Sequence, residues 1–166
     1  IRRPPRSTHC ISSAASDVYK RQILFSSALE PILEYKIIMN KLLIDIASEK
    51  MFLMIITKDD IYNITKENTK INYEKLTLIV KDFLYSNSLK LEHISKIYVN
   101  RGPGSFAGIR NSLSLVKAFN VSRKIDYYCY SFDDFKDQKD IKYEDIPNLC
   151  DKFKIKKNLI NPIYLS

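Results

Sequence analysis

The chain has 166 residues, 45% of them apolar and 28% charged, which suffices for one domain with its own core and is too short for two full lobes. Its formal charge of +8 is uneven: residues 1–22 hold five Lys or Arg against one Asp, while the rest carries 22 basic and 18 acidic side chains, an ordinary balance for a solvated surface that gives no footing to a polyanion-binding class. The longest apolar run, Met51–Ile56, falls far short of the roughly 20 residues that span a bilayer, and Cys10, Cys129 and Cys150 stand too far apart, with no CxxC pair, for a disulfide framework or structural zinc site. No membrane association and a reducing cytoplasm are the expected setting.

Residues 1–38 are expected to be a non-native or disordered extension. Ile1–Gln22 has paired arginines, prolines and serines with little periodicity, and Asp17–Gln22 resembles translated sequencing-adapter read-through. Residues 23–38 are apolar but interrupted by Pro31, and Met39, directly before the first convincing strand, is the expected start.

From Lys41 the elements follow in a clear order. Lys41–Ala47 reads as a strand of near-continuous apolar character with Asp45 inside it, Phe52–Thr57 as a second, and Ile61–Thr65 as a third after the polar turn Lys58-Asp59-Asp60, which together make a meander. A helix is expected from about Asn72, with Tyr73, Leu76, Val80, Phe83 and Leu84 on one stripe and Leu78 and Tyr85 on another face. Lys96–Asn100 is the fourth strand. A helix over Phe106–Asn120 then turns Ile109, Leu113 and Val116 one way and Leu115, Ala118 and Phe119 the other, so it is expected to be apolar nearly all round and to need cover from a neighbouring helix or a partner. Ile125–Ser131 is a fifth strand, and Ser131 is placed to cap a short helix at Phe132–Phe135 with Asp133 and Asp134 in its first turn. Beyond it, Asp133–Asp145 has six acidic and three basic residues and Asp151–Lys157 one and four, a pattern expected of a solvated connector.

All three glycines lie within Gly102–Gly108, between the fourth strand and its helix. A chain that uses glycine nowhere else has placed it where the backbone needs positive φ or where something must approach without a Cβ in the way. Two readings stay open at this point. The loop and Arg101 or Arg110 could gather backbone N–H groups around an anion, with Gly102, Gly104 and Ser105 as contacts. Alternatively Gly102 and Gly104 make a tight turn, Ser105 caps the helix and Gly108 permits close packing. A phosphate loop would need Lys and a hydroxyl residue where Ile109 and Arg110 stand; the dinucleotide pattern is approached only as GxGxxxG; and Ser105 is one place early for a nucleophile elbow, with His93, expected on the surface, the one histidine outside the N-terminal extension. Two histidines, one of them in the N-terminal extension, cannot build a paired-histidine helix site for a metal. Asp45 is the one acidic residue positioned for phosphate or magnesium, and a turn-capping role beside Ser48 is at least as well supported.

The pattern alone indicates α/β. The string Asn100-Arg101-Gly102-Pro103-Gly104-Ser105-Phe106-Ala107-Gly108-Ile109-Arg110 resembles the RGPGSFTG[VI]R signature of the bacterial TsaB family, a subunit of the tRNA threonylcarbamoyladenosine machinery, with Arg101, Gly102, Pro103, Gly104, Ser105, Phe106, Gly108 and Arg110 as its signature residues. Leu42–Ala47 is similar to the family's opening strand, Tyr130–Phe135 to a later segment, and Pro162-Ile163-Tyr164-Leu165 to a strand near the family's C-terminus, with Ser166 where arginine would stand. The resemblance implies an actin-like, ribonuclease H-like lobe over 39–138, with a mixed five-stranded sheet and helices, and a strongly abbreviated second lobe whose remnant is 139–166. It further implies a noncatalytic interaction subunit that holds no cofactor itself, with ATP and metal on the partner TsaD. TsaE is a further expected partner, a homodimer an alternative assembly, and tRNA is met only through the complex. A superfamily phosphotransferase, a glycoprotease-like hydrolase and a direct tRNA-binding module are the alternatives. Family members pair with TsaD through two helices of the first lobe, and the apolar positions left over here, Leu78, Tyr85, Leu115, Ala118 and Phe119, are the expected interface.

Overall fold

The strand of unbroken apolar character lies at the centre of a sheet covered on both faces. In the computed structural model, which describes residues 39–136, 138 and 140–164, β1 (Asn40–Asp45) has Leu42, Leu43, Ile44 and Asp45 all wholly buried. The N-terminal extension with Cys10 and Pro31, and Leu165 with Ser166 at the other end, lie outside the described residues. Strands β2 (Lys50–Ile56) and β3 (Ile61–Glu67) continue from β1 as antiparallel neighbours, with Leu43 opposite Met54 and Met54 opposite Asn63. On its other side β1 pairs in parallel with β4 (Ile94–Asn100), which pairs in parallel with β5 (Asp126–Tyr130), giving the order β3-β2-β1-β4-β5. The meander and the later strands thus stand where the periodicity put them, each boundary within two residues.

Side-chain alternation along the strands separates two cores. Leu42, Ile44, Leu53, Ile55, Ile97, Val99 and Tyr127 point to one face, and Leu43, Met54, Tyr98 and Tyr130 to the other. The first face is covered by α1 (Lys70–Glu74), α2 (Leu76–Ser86) and α3 (Phe106–Arg123). The single helix expected from Asn72 is two: Thr69 caps α1 by accepting the Asn72 N–H at 3.2 Å, and the backbone leaves helical geometry at Lys75. The expected stripe holds, with Leu76, Val80, Phe83 and Leu84 buried and Tyr73 half-buried.

Helix α3 departs from expectation in two respects. It runs on to Arg123, where Lys124 in left-handed conformation ends it and donates its N–H to the Asn120 carbonyl at 2.9 Å. It is also not apolar all round. Gly108, Ile109, Ser112, Leu113, Leu115 and Val116 form one broad buried face, whereas Arg110, Ser114, Lys117, Ala118 and Val121 lie exposed. Because α3 rests on the sheet and against α1 and α2 together, one wide face meets both neighbours.

The second sheet face is covered by the stretch expected to be a solvated connector. Ser131 accepts the Asp133 N–H at 3.2 Å while the Asp134 carboxylate accepts the Ser131 N–H at 2.8 Å, a reciprocal cap for the 3-10 turn Phe132–Phe135. A second 3-10 turn, Tyr143–Asp145, then leads into α4 (Ile146–Lys152). Phe135, Ile146, Leu149 and Cys150 are buried against Leu43, Tyr98 and Tyr130. The charge count failed here because the apolar residues are too widely spaced among the charges to mark a helix face by eye, yet the turns aim them all at the sheet. Pro162–Tyr164 forms no strand; Ile163 donates its N–H to the Arg101 carbonyl at 2.8 Å and the chain otherwise runs irregularly. Residues 39–138 and the described part of 139–166 belong to one compact unit.

Candidate functional site

Strand β4 delivers Asn100 and Arg101 to the sheet's end, and the glycine loop turns the chain from there into α3. The turn is built by the backbone and by its neighbours. Asn100, nearly fully buried, accepts the Gly102 N–H on Oδ1 at 2.9 Å, the side-chain-to-backbone turn that Asn favours. Gly102 has φ of +103° and precedes a cis peptide to Pro103, which is exposed. A Cβ on Gly102 would overlap the Ile163 carbonyl oxygen; at Gly104 it would overlap the carbonyl oxygen of Ala47, and at Gly108 that of Ile46. The glycines therefore let the loop and the first turn of α3 lie directly on the backbone leaving β1 and on the C-terminal segment.

Several of the loop's donors go into these contacts. The Ser105 N–H goes to the Ala47 carbonyl at 3.0 Å, and Ser105 caps α3 by accepting the Gly108 N–H on Oγ at 3.3 Å, with the Tyr73 hydroxyl 3.1 Å from the same oxygen. Arg101 is equally occupied: Nη2 lies 2.6 Å from Asp134 Oδ1, and Nη1 donates to the Asn161 carbonyl at 3.0 Å. Arg110 lies exposed one helical turn into α3. Gly102, Gly104 and Ser105 do come together, but as a turn, a packing point and a cap. An anion cradle needs converging free N–H groups and an available cation, and those of Gly102, Ser105 and Arg101 are engaged within the chain.

Asp45 meets the same test. It is wholly buried; Oδ1 accepts the N–H groups of Ala47 and Ser48 at 3.1 and 3.2 Å, and Oδ2 accepts the hydroxyls of Ser48 and Tyr143, each at 2.8 Å. Both oxygens are saturated by the chain's own donors, so the carboxylate caps the β1–β2 turn and does not fit a magnesium ligand. Burial, reinforced by Asp45, pushes the Tyr143 phenol well above its ordinary value and keeps it a donor. Among the described residues no group of three or more His, Cys, Asp or Glu side chains could hold a metal ion, and no helix is long and apolar enough to cross a membrane. His93 is half-buried and accepts the Lys90 N–H on Nδ1 at 3.2 Å, capping the 3-10 turn Leu91–His93.

Sequence reasoning missed Tyr143, Asn158 and Asn161, and missed Asp134 as the partner of Arg101. Asn158 seals the β5 edge by accepting the Tyr127 N–H on Oδ1 at 3.0 Å and donating Nδ2 to Asp126 at 2.7 Å. No local spacing announces partners some 30 to 98 residues away. The Asn-x-Gly turn at Asn100 did carry a local signal.

The residues expected at an interface divide. Leu78 and Tyr85 on α2 are 55% and 56% exposed, Ala118 on α3 is exposed and Phe119 is half-buried between the two helices. Leu115 corrects the expectation: it is only 8% exposed and belongs to the core, because α3 buries enough of its circumference to enclose both its stripes. At the end of the helix pair, Val80, Leu84, Tyr85, Leu91 and Phe119 line a groove of about 270 Å³.

A central strand flanked by an antiparallel meander on one side and two parallel strands on the other, with helices on both faces, defines an actin-like α/β lobe. Over 56% of the chain the particular fold is similar to that of part of YeaZ. Among solved structures the chain is similar to YeaZ from Pseudomonas aeruginosa, with a TM-score of 0.52 and 19% identity over 56% of this chain and 44% of that one. A second structure, of an uncharacterized protein with similarity to peptidase YEAZ from Pseudomonas aeruginosa, matches with a TM-score of 0.52 and 19% identity over 56% of this chain and 43% of that one. The chain thus spans less than half the length of these relatives. No protein-family profile and no curated protein matches it.

Proposed function

We propose that the chain is a TsaB-type interaction subunit, noncatalytic by itself, that supports TsaD in transferring threonylcarbamoyl to an adenosine of tRNA. The observation that carries this reading is the place of the signature string: Asn100–Arg110 forms the β4–α3 corner of a YeaZ-like lobe, YeaZ being the TsaB homologue. The chemistry of the corner points the same way. Asp45, Arg101 and Ser105, the groups that could handle magnesium, phosphate or an acyl group, are spent within the fold. What faces outward is the α2–α3 surface, where Leu78, Tyr85 and Ala118 offer apolar area to a partner. ATP and metal would then belong to TsaD, and the setting would be the cytoplasm.

Reconstitution tests the proposal. Purified TsaD with its threonylcarbamoyl donor and tRNA is expected to form the modified nucleoside markedly faster when this protein is added, while the protein alone turns over no ATP. Modification by TsaD that is indifferent to the added protein would overturn the reading.

A further inference from the structure

The two edges of the sheet are finished differently. At β5 the edge is sealed, with Asn158 accepting the Tyr127 N–H on Oδ1 at 3.0 Å and Lys157 bridging to Tyr128. At β3 nothing comparable is built. The Thr57 N–H donates to the Asp60 carbonyl at 2.9 Å, which fixes the alternation of the β2–β3 ladder. Tyr62, Ile64 and Lys66 therefore turn their backbone groups to β2, while Ile61, Asn63 and Thr65 turn theirs outward, and among the described residues these find no partner. The strand keeps regular register over its seven residues, with no proline or bulge to blunt it. Beside it, Ile64, Ile79 and Phe83, with Asn63, Lys66 and Asp82, line a hollow of about 350 Å³ between β3 and α2. Leu78 and Tyr85 do not line it, so the edge is separate from the α2–α3 surface.

We infer that the β3 edge takes a second copy of this chain, strand against strand and antiparallel about Asn63. The inference is independent of the role proposed above and of any association through α2–α3. An unpaired ladder calls for an extended backbone, and β3 itself carries the complement that its edge asks for. With Asn63 opposite its own counterpart and Ile61 opposite Thr65, every outward N–H meets an outward C=O. The same register sets Tyr62 of the second copy beside Ile64, which lines the hollow, and Lys66 of the second copy against Asp60; the twofold repeats each pair. Other registers fit less well. A shift by one residue puts an outward-facing residue opposite an inward-facing one. Moving the centre to Ile64 sets Ile61 against Glu67, whose carbonyl already accepts the Thr69 N–H at 3.1 Å and Asn72 Nδ2 at 2.7 Å. The Asn63 register does bring Glu67 toward Asp59 of the turn, but Glu67 is held by Lys50 at 3.6 Å.

Sedimentation of the full chain carrying Tyr85→Asp, which keeps α2–α3 association out of the measurement, is expected to show a dimer that grows with concentration. Adding Asn63→Pro is expected to leave only monomer. The Asn63 N–H faces outward, so proline removes a donor from the ladder between copies and none from the β2–β3 ladder, and circular dichroism checks that the fold is kept. Lys66→Glu, which leaves the backbone as it is, is expected to weaken the dimer about tenfold, and Asp60→Lys added to it is expected to restore most of the loss by exchanging the charges. Four results would overturn the inference: a chain that stays monomeric to its solubility limit, a dimer that folded Asn63→Pro leaves intact, a dimer indifferent to Lys66→Glu, or a loss that Asp60→Lys deepens. Each of them leaves the TsaD reading untouched.

Discussion

Arg101 joins three parts of the chain that are distant in sequence. Its guanidinium holds Asp134 in the cap of the Phe132–Phe135 turn and the Asn161 carbonyl of the C-terminal segment, while its own carbonyl receives the Ile163 N–H. The two side chains of the ion pair are only 15% and 20% exposed, so the hydrogen-bonded charges are weakly screened. Arg101→Ala is expected to cost about 1.5–3 kcal/mol, the range for a hydrogen bond to a charged group, measured as a shift in urea unfolding free energy. If the arginine instead served an external anion, its removal would leave stability unchanged or improved. At the helix pair two substitutions separate folding from association. Leu115→Asp places a carboxylate in the core and is expected to abolish cooperative unfolding, whereas Tyr85→Asp alters an exposed ring and is expected to leave the unfolding midpoint within error while weakening the complex proposed with TsaD. Retention of a folded state by Leu115→Asp would show that α3 does not bury that position.

Among the elements, those with one strong period were legible and those held by distant partners were not. Strands β1, β2, β4 and β5 announce themselves by apolar runs, and α2 and α3 by their stripes, because burial against a flat sheet demands one periodicity at a time. The circumference α3 would bury was misjudged, since that depends on how α2 sits beside it. Segment 133–157 was read as a connector for a related reason: Ile141, Tyr143, Ile146, Leu149, Phe153 and Ile155 are scattered through charged sequence and converge only on the formed sheet. The glycine loop was legible as a turn from its glycines, but its neighbours, the Ala47 and Ile163 carbonyls, are supplied by topology. The packing of α4 supplies a test. Ile146, wholly buried beside Tyr98 and Tyr130, should on replacement by Ala destabilise the protein by about 2–5 kcal/mol in chemical denaturation. A change within error would mean that α4 is only loosely attached and that the connector reading was right after all.

At the scale of the molecule, the two cores share a titration signature. Burial in the first core pushes the Cys129 thiol up to about 12 from an ordinary value of 9.0, with Arg101 opposing weakly, and burial in the second does the same to Cys150, with Asp151 and Asp134 adding to it. Tyr130 rises well above its ordinary 10.0 for the same reason. Each folded-state pKa is above its unfolded value, so the folded protein binds these protons more tightly. Their contribution is complete below about pH 9 and is lost as the pH climbs from 9 toward 12. Unfolding free energy is therefore expected to fall over that window, and to fall less in a Cys129→Ala/Cys150→Ala variant relative to its own value at pH 8. At the acid end Asp126 works in the opposite sense: the Asn158 hydrogen bond first, and Lys157 after it, hold its carboxyl below 3.8. Its contribution is present above that value and disappears as the pH drops through the lowered one. An alkaline limb that follows the tyrosines alone, unchanged when both thiols are removed, would show that the cysteines are not buried as described.

The seating of the glycine loop has a consequence for what its motif can report. Gly102, Gly104 and Gly108 each lie where a side chain would strike the chain's own backbone, and Arg101 and Ser105 serve bonds internal to the lobe. Folding of this lobe therefore depends on these glycines and on Arg101 and Ser105, apart from anything the lobe binds. The motif is thus first a requirement of the fold. Its presence in a sequence reports a corner that must close, and what the lobe meets is to be sought on surfaces that the corner does not touch.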